Sequence, residues 1–252
     1  EDEDLGPNVI AQFFNVTKSY NENILFDKFD FKLVRGEKIG LIGKNGTGKS
    51  TFFKLLTGEI QPENGSVKFK NSINYSYFDQ LGGQFDDKKS IKENLVPGGG
   101  DFIEVNGIKK HICGYIKNFL FLPDEVNNLV STLSGGQRNR LLLAKILAKP
   151  NKLMILDEPT NDLDSETLEI LVDYINDYRG TVLISSHDRK FLDETTDKVF
   201  YFSGKGDIKL HLGLCSEIIS KIDEVKQSNS HDKSINKQKF NKINYNKKIE
   251  KI

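Results

Sequence analysis

The chain has 252 residues and a mass of 28.6 kDa, enough for one α/β domain with a generous core plus a smaller lobe, and too little for a tandem pair of such domains. Its 36 Lys and Arg balance 36 Asp and Glu, so the chain as a whole gives no electrostatic signal for a nucleic-acid or membrane surface. No apolar run approaches the roughly eighteen residues of a membrane span, because LLLAKILAKPNKLMIL is broken by lysines and a proline.

Residues 1-8, which open on EDED, are expected to form an acidic linker, and they do not read as a secretory leader. Val9 to Val34 carries the strand-like runs VIAQFFNVT and ILFDKFDFKLV, parted by the turn-rich SYNEN, which predicts an antiparallel β edge. Glu37 to Ile42 (EKIGLI) then reads as a strand, and GKNGTGKS at residues 43 to 50 fits G-x-x-x-x-G-K-[ST] without a mismatch. A helix is expected from Thr51 to Thr57, before Gly58. In such a loop Gly43, Gly46 and Gly48 let the backbone bend, so that successive N–H groups meet phosphates at the positive end of the helix dipole. Lys44, Asn45, Thr47 and Thr51 complete the candidate cradle, Lys49 supplies its point charge, and Ser50 offers a hydroxyl to Mg²⁺.

Beyond this loop, Glu63-Asn64-Gly65-Ser66 predicts a turn, SVKFK a strand, and the run INYSYFDQ closes on Gln80. Leu81 to about Val130 is expected to be a helical lobe, interrupted by a hairpin turn at Asn106-Gly107. LSGGQ at 133 to 137 precedes a run with helical spacing that Pro150 ends, so Ser134, Gly135 and Gly136 fall at a helix N-terminus, a second anion-binding end. Leu153 to Leu156 reads as a buried parallel strand delivering Asp157-Glu158 at its carboxyl end, a Mg²⁺ ligand beside a candidate general base.

In SETLEILVDYINDY, Leu168, Leu171, Val172 and Ile175 form a core-facing helical stripe. The strands TVLISS, with His187 just beyond its end, and KVFYFS follow. After Gly213 the composition changes: Leu214 to Val225 has helical spacing, and Gln227 to Ile252 is polar and rich in Lys and Asn, as in a solvated linker or an unfinished coiled coil. Cys113 and Cys215 lie far apart without metal-type spacing, which fits two free thiols in a reducing, cytoplasmic compartment.

LSGGQ lying between the phosphate loop and the Asp157-Glu158 strand resembles the ATP-binding cassette (ABC) family. The resemblance implies a P-loop α/β fold of the ABC ATPase type: a central, mostly parallel sheet with an antiparallel β edge and a helical signature lobe. It implies ATP and Mg²⁺ as cofactors, with Ser50, Gln80 and Asp157 around the metal, Glu158 polarising the attacking water, and His187 with Lys49 at the γ-phosphate. Gln80 takes the place of the Q-loop glutamine, His187 of the switch histidine, Asn161 to Asp164 of the D-loop, and Tyr20 of the aromatic that stacks on adenine. Ser134, Gly135, Gly136 and Gln137 would act on ATP held by a facing cassette, in the same polypeptide or in a homodimer.

More narrowly, DEPTNDLDSETLEIL, DFIEVNGIKKHICGYIKNFLF and LSGGQRNRLLLAKIL resemble the second cassette of Uup-type ABC-F proteins, over Val9 to Gly213. Gln137 departs from that group, which often has Glu there. The implied organisation is an ABC ATPase domain over 9-213, with its lobe at about 81-150, and a C-terminal helix and basic tail over 214-252. The implied partners are a second cassette and the ribosome or nucleic acid; the alternative is the ATPase subunit of a membrane transporter.

Overall fold

The structure is a computed structural model, and it describes residues 5–70, 73–78, 85–105, 108–149, 151–161 and 163–224. The long strands β1 (Val9–Tyr20) and β2 (Asn23–Val34) pair antiparallel across a tight turn, where Asn21 takes a positive φ of 53°. After β3 (Lys38–Gly43) and α1 (Lys49–Thr57), β4 (Asn64–Phe69) adds to the other side of β1, giving a three-stranded sheet of order β2-β1-β4. The antiparallel edge read from the sequence is thus a sheet of its own.

The second sheet has six strands in the order β11-β10-β3-β9-β8-β5. Its members besides β3 are β5 (Tyr75–Phe78), β8 (Leu153–Asp157), β9 (Thr181–Ser185), β10 (Lys198–Phe202) and β11 (Ile208–Leu212). All neighbours pair parallel except β10 and β11. The apolar runs of β3, β8 and β9 are continuous because this sheet is covered on both faces. Alternate residues sort the faces: Ile39, Leu41, Leu153, Ile155, Leu183 and Phe200 enter one core, and Ile42, Met154, Leu156, Val182, Ile184 and Val199 the other.

The first core is aromatic. Phe52 of α1 stacks on Phe13 of β1 with centroids 4.9 Å apart, Phe29, Phe200 and Phe202 meet Phe52 edge-on or tilted, and Phe26 packs edge-on against Phe29 and Phe202, so the antiparallel sheet is fixed to α1 and through it to the phosphate loop. The second core receives α4 (Gly135–Ala148), α5 (Ser165–Asp177) and α6 (Arg189–Thr195). In α5, Leu171 and Ile175 are fully buried while Leu168 and Val172 pack at the margin.

Residues 85–132 differ from the helical lobe expected. Only α2 (Ile91–Leu95) and α3 (Ile112–Lys117) are α-helices, with 3-10 turns at Pro123–Asn127 and Val130–Thr132, and they flank an antiparallel hairpin of β6 (Phe102–Val105) and β7 (Ile108–His111). Pro97 stops α2, since the residue before a proline is pushed out of the helical region, as the C-cap Val96 is. The hairpin pairs Val105 with Ile108, and the turn expected at Asn106-Gly107 lies outside the described residues. A last helix, α7, covers residues 215–224, and the Lys/Asn-rich tail lies beyond the description. No helix among the described residues is long and apolar enough to cross a membrane.

Candidate nucleotide site

At the carboxyl ends of the parallel strands lies a cavity of about 390 Å³, walled by the loop between β3 and α1 and by Asp157-Glu158. This is the position an open α/β sheet offers to ligands. The helix begins at Lys49, two residues earlier than expected, because Gly48 takes the N-cap at φ 111° and lets the chain turn directly into it. Lys49 and Ser50 therefore contribute N–H groups of the first helical turn. Gly43 is required by crowding: a Cβ there would stand 2.7 Å from the Phe202 carbonyl oxygen and from Thr47 Oγ1.

Lys44, Asn45, Gly46, Gly48, Lys49, Ser50 and Thr51 line the cavity, together with Tyr20 and Leu25. Tyr20 is 48% exposed, and the Lys18 ammonium sits 5.4 Å above its ring. Gly43 and Thr47 are not on this wall. Thr47 Oγ1 donates to the Lys44 carbonyl at 2.8 Å, bracing the loop from behind, and Gly43 lines a neighbouring cavity with Ser186 and His187.

Charge converges on Lys49. Its ammonium donates to the Gly43 carbonyl at 2.8 Å and lies 3.7 Å from Glu158 Oε1 and 3.5 Å from His187 Nε2. Burial pushes the Lys49 ammonium below the ordinary lysine range, while the charges of Glu158 and Asp157 work the other way. His187 Nε2 is also 2.9 Å from Asn45 Oδ1, and the His187 backbone N–H donates to Glu158 Oε2 at 3.2 Å. Glu158 Oε1 is buried and lacks a hydrogen-bond partner. Glu158 also holds a left-handed backbone, φ 52°, a state costing a non-glycine residue about 1–3 kcal/mol and favoured where a site needs it.

Asp157 is held from both sides, by Ser185 Oγ donating to its Oδ1 and by Tyr77 OH donating to its Oδ2 at 3.2 Å. Ser185 and Tyr77 were not legible as site residues, since only the strand register places them beside Asp157. Gln80 and Asp162 lie outside the described residues.

LSGGQ stands apart from this cavity. Ser134 caps α4, its Oγ accepting from the Gln137 N–H at 3.3 Å while Gln137 Oε1 accepts from the Ser134 N–H at 3.0 Å, a reciprocal capping box. Ser134, Gly135 and Gly136 are exposed and none lines the cavity. Asp164 caps α5 through Thr167, whose hydrogen bonds hold its carboxyl below the usual carboxylate range, and also pairs with Arg140 at 3.3 Å.

The residues present fit a magnesium nucleotide. Ser50 and Asp157 on the cavity wall are the hard oxygen donors Mg²⁺ prefers, and Glu158 lines the same cavity, its Oε1 buried beside Lys49 without a hydrogen bond. Sheet, loop and carboxylate pair together define an ATPase domain of the ABC type, and the chain belongs to the ABC transporter family, which matches residues 26–161. Over 205 residues the chain is 47% identical to the ATP-binding protein Uup of Haemophilus influenzae, covering 81% of this chain and 32% of that protein. Over 213 residues it is 38% identical to the energy-dependent translational throttle protein EttA of the same organism, covering 84% and 38%. The chain thus spans about a third of the length of these curated relatives. A solved ATP-binding subunit of an ABC transporter superposes with a TM-score of 0.65 at 18% identity, over 85% of this chain and 93% of that one, a likeness of fold.

Proposed function

We propose that the chain is the Mg-ATP-binding and hydrolysing second cassette of an ABC-F protein, working in the cytoplasm on the ribosome or on nucleic acid through ATP-driven closure against another cassette. The domain would run over 9-213, its lobe to about residue 150, with 214-252 as helix and tail. One observation carries the reading: Lys49, Glu158 and His187, from three separate segments, meet within 3.7 Å beside the glycine loop.

When bound, Mg²⁺ would neutralise phosphate charge and orient the nucleotide for in-line attack by water. Ser50 and Asp157 would hold it, with Gln80 joining from the resemblance alone. The loop N–H groups and Lys49 bind the phosphates, Tyr20 meets the base, His187 steadies the terminal phosphate, and Glu158 accepts the water's proton. For Lys49 to reach a phosphate it must exchange its bond to the Gly43 carbonyl. Exposed Ser134, Gly135 and Gly136 leave their helix end for a neighbour's nucleotide, which makes closure of two cassettes the switch.

Glu158→Gln is the test: nucleotide binding is retained and turnover falls by on the order of a hundredfold or more. Unchanged turnover would place the base elsewhere. Cofractionation with ribosomes rather than with membranes separates the ABC-F reading from a transporter subunit, the fold likeness in a solved transporter subunit being the observation that keeps the second reading open.

A further inference from the structure

One buried hydroxyl touches both acidic residues of the cavity, the carboxylate of Asp157 and the backbone N–H of Glu158. Ser185 ends β9 and lies directly opposite Asp157 in the parallel register with β8, with 0% of its surface exposed. Its Oγ donates to Asp157 Oδ1 and accepts the Glu158 backbone N–H at 3.1 Å, and the same N–H reaches the Ser185 carbonyl at 3.0 Å. A serine hydroxyl has a single proton. With the Glu158 N–H directed at its oxygen, that proton is committed to Asp157.

We infer that Ser185 is a positioning residue for the chemistry proposed above: its hydroxyl sets the Asp157 carboxylate for the metal and clamps the left-handed backbone of Glu158, and so aims the base. The inference rests on that reading of the cavity. Two consecutive residues with different tasks are thereby referenced to one atom across the sheet. Glu158 lies one residue past the end of β8 at φ 52°, and its N–H is shared between the carbonyl and the hydroxyl of Ser185. Tyr77 braces the other oxygen of Asp157 from β5, so the carboxylate is fixed in two directions before any metal arrives. Outer partners of this kind tune a metal ligand as much as the ligand itself does.

The experiment compares Ser185→Thr with Ser185→Val in the full chain. The two side chains have nearly the same volume, so any packing strain is shared and only the hydroxyl differs. Melting temperatures establish that both variants fold. Mn²⁺ affinity is then read by electron paramagnetic resonance in the presence of a non-hydrolysable ATP analogue, together with kcat and KM for ATP.

Ser185→Val is expected to weaken Mn²⁺ and lower kcat by about tenfold or more, with metal-free nucleotide affinity unchanged, and Ser185→Thr to restore both. Identical behaviour of the two variants, or Mn²⁺ affinity unmoved by Val, overturns the positioning role and leaves the cavity reading intact. A wild-type chain that binds no nucleotide overturns the cavity reading, and the inference with it.

Discussion

The N-termini of α1 and α4 are built from similar material and finished differently. Neither helix has an acidic residue in its first turn, whereas α2 and α5 carry Glu93 and Glu166 there. An acid in that turn would compensate the helix dipole and repel an anion, so its absence leaves both ends positive. At α1 the cap is Gly48, with no side-chain hydrogen bond, and the end opens into a cavity that the chain itself walls. At α4 the cap is Ser134 in a capping box with Gln137, and the end is exposed. On the proposed reading, an end whose ligand is cradled by its own chain can leave its N–H groups bare, and one that serves a neighbour's ligand needs a cap of its own in the meantime.

The largest test of that contrast is at α1. Lys49→Ala removes the cationic side chain buried at the cavity, and Mg-ATP affinity by calorimetry is expected to fall on the order of a hundredfold, the size of a lost charge-assisted contact to phosphate. Unchanged affinity would remove this loop from the site. A smaller effect is expected at α4, where Ser134→Arg leaves the chain's own cavity untouched. ATP affinity of the isolated chain stays as it was, while turnover per chain loses its rise with protein concentration, because a two-fold pair presents each α4 end to the other's cavity. A rate indifferent both to concentration and to this substitution would break the shared-site picture. Smallest is Ser134→Ala, which in the isolated chain deletes the cap: stability is expected to drop by about 1 kcal/mol, read as a lowered melting temperature. No change would mean that α4 does not depend on its capping box.

The contrast also separates what was legible in the sequence from what was not. GKNGTGKS could be read as a phosphate cradle because spacing alone dictates where its glycines and lysine fall. LMILD could be read as a buried strand because the apolar run, bracketed by Pro150 and Pro159, is too short for a helix. The start of α1 was misjudged by two residues, since a cap at Gly48 depends on a left-handed turn that the residue permits but does not compel. In residues 85–132 short local preferences compete: the sequence reads a helical lobe interrupted by a hairpin, and the described residues hold two short α-helices flanking the strands β6 and β7.

By itself the sequence determined the residue types of the cavity and the strands and helix ends that carry them, because propensity, periodicity and motif spacing act over a few neighbouring residues. Tertiary structure alone decided which distant side chains meet. His187 stands 2.9 Å from Asn45 across 142 positions, and Ser185 and Tyr77 grip Asp157 from 28 and 80 positions away. Those meetings follow from the order β3-β9-β8-β5 and from its parallel register, where a slip of one residue would turn Ser185 to the other face of the sheet. That order is set by burial on both faces of one sheet, a property of the whole chain that no local stretch contains.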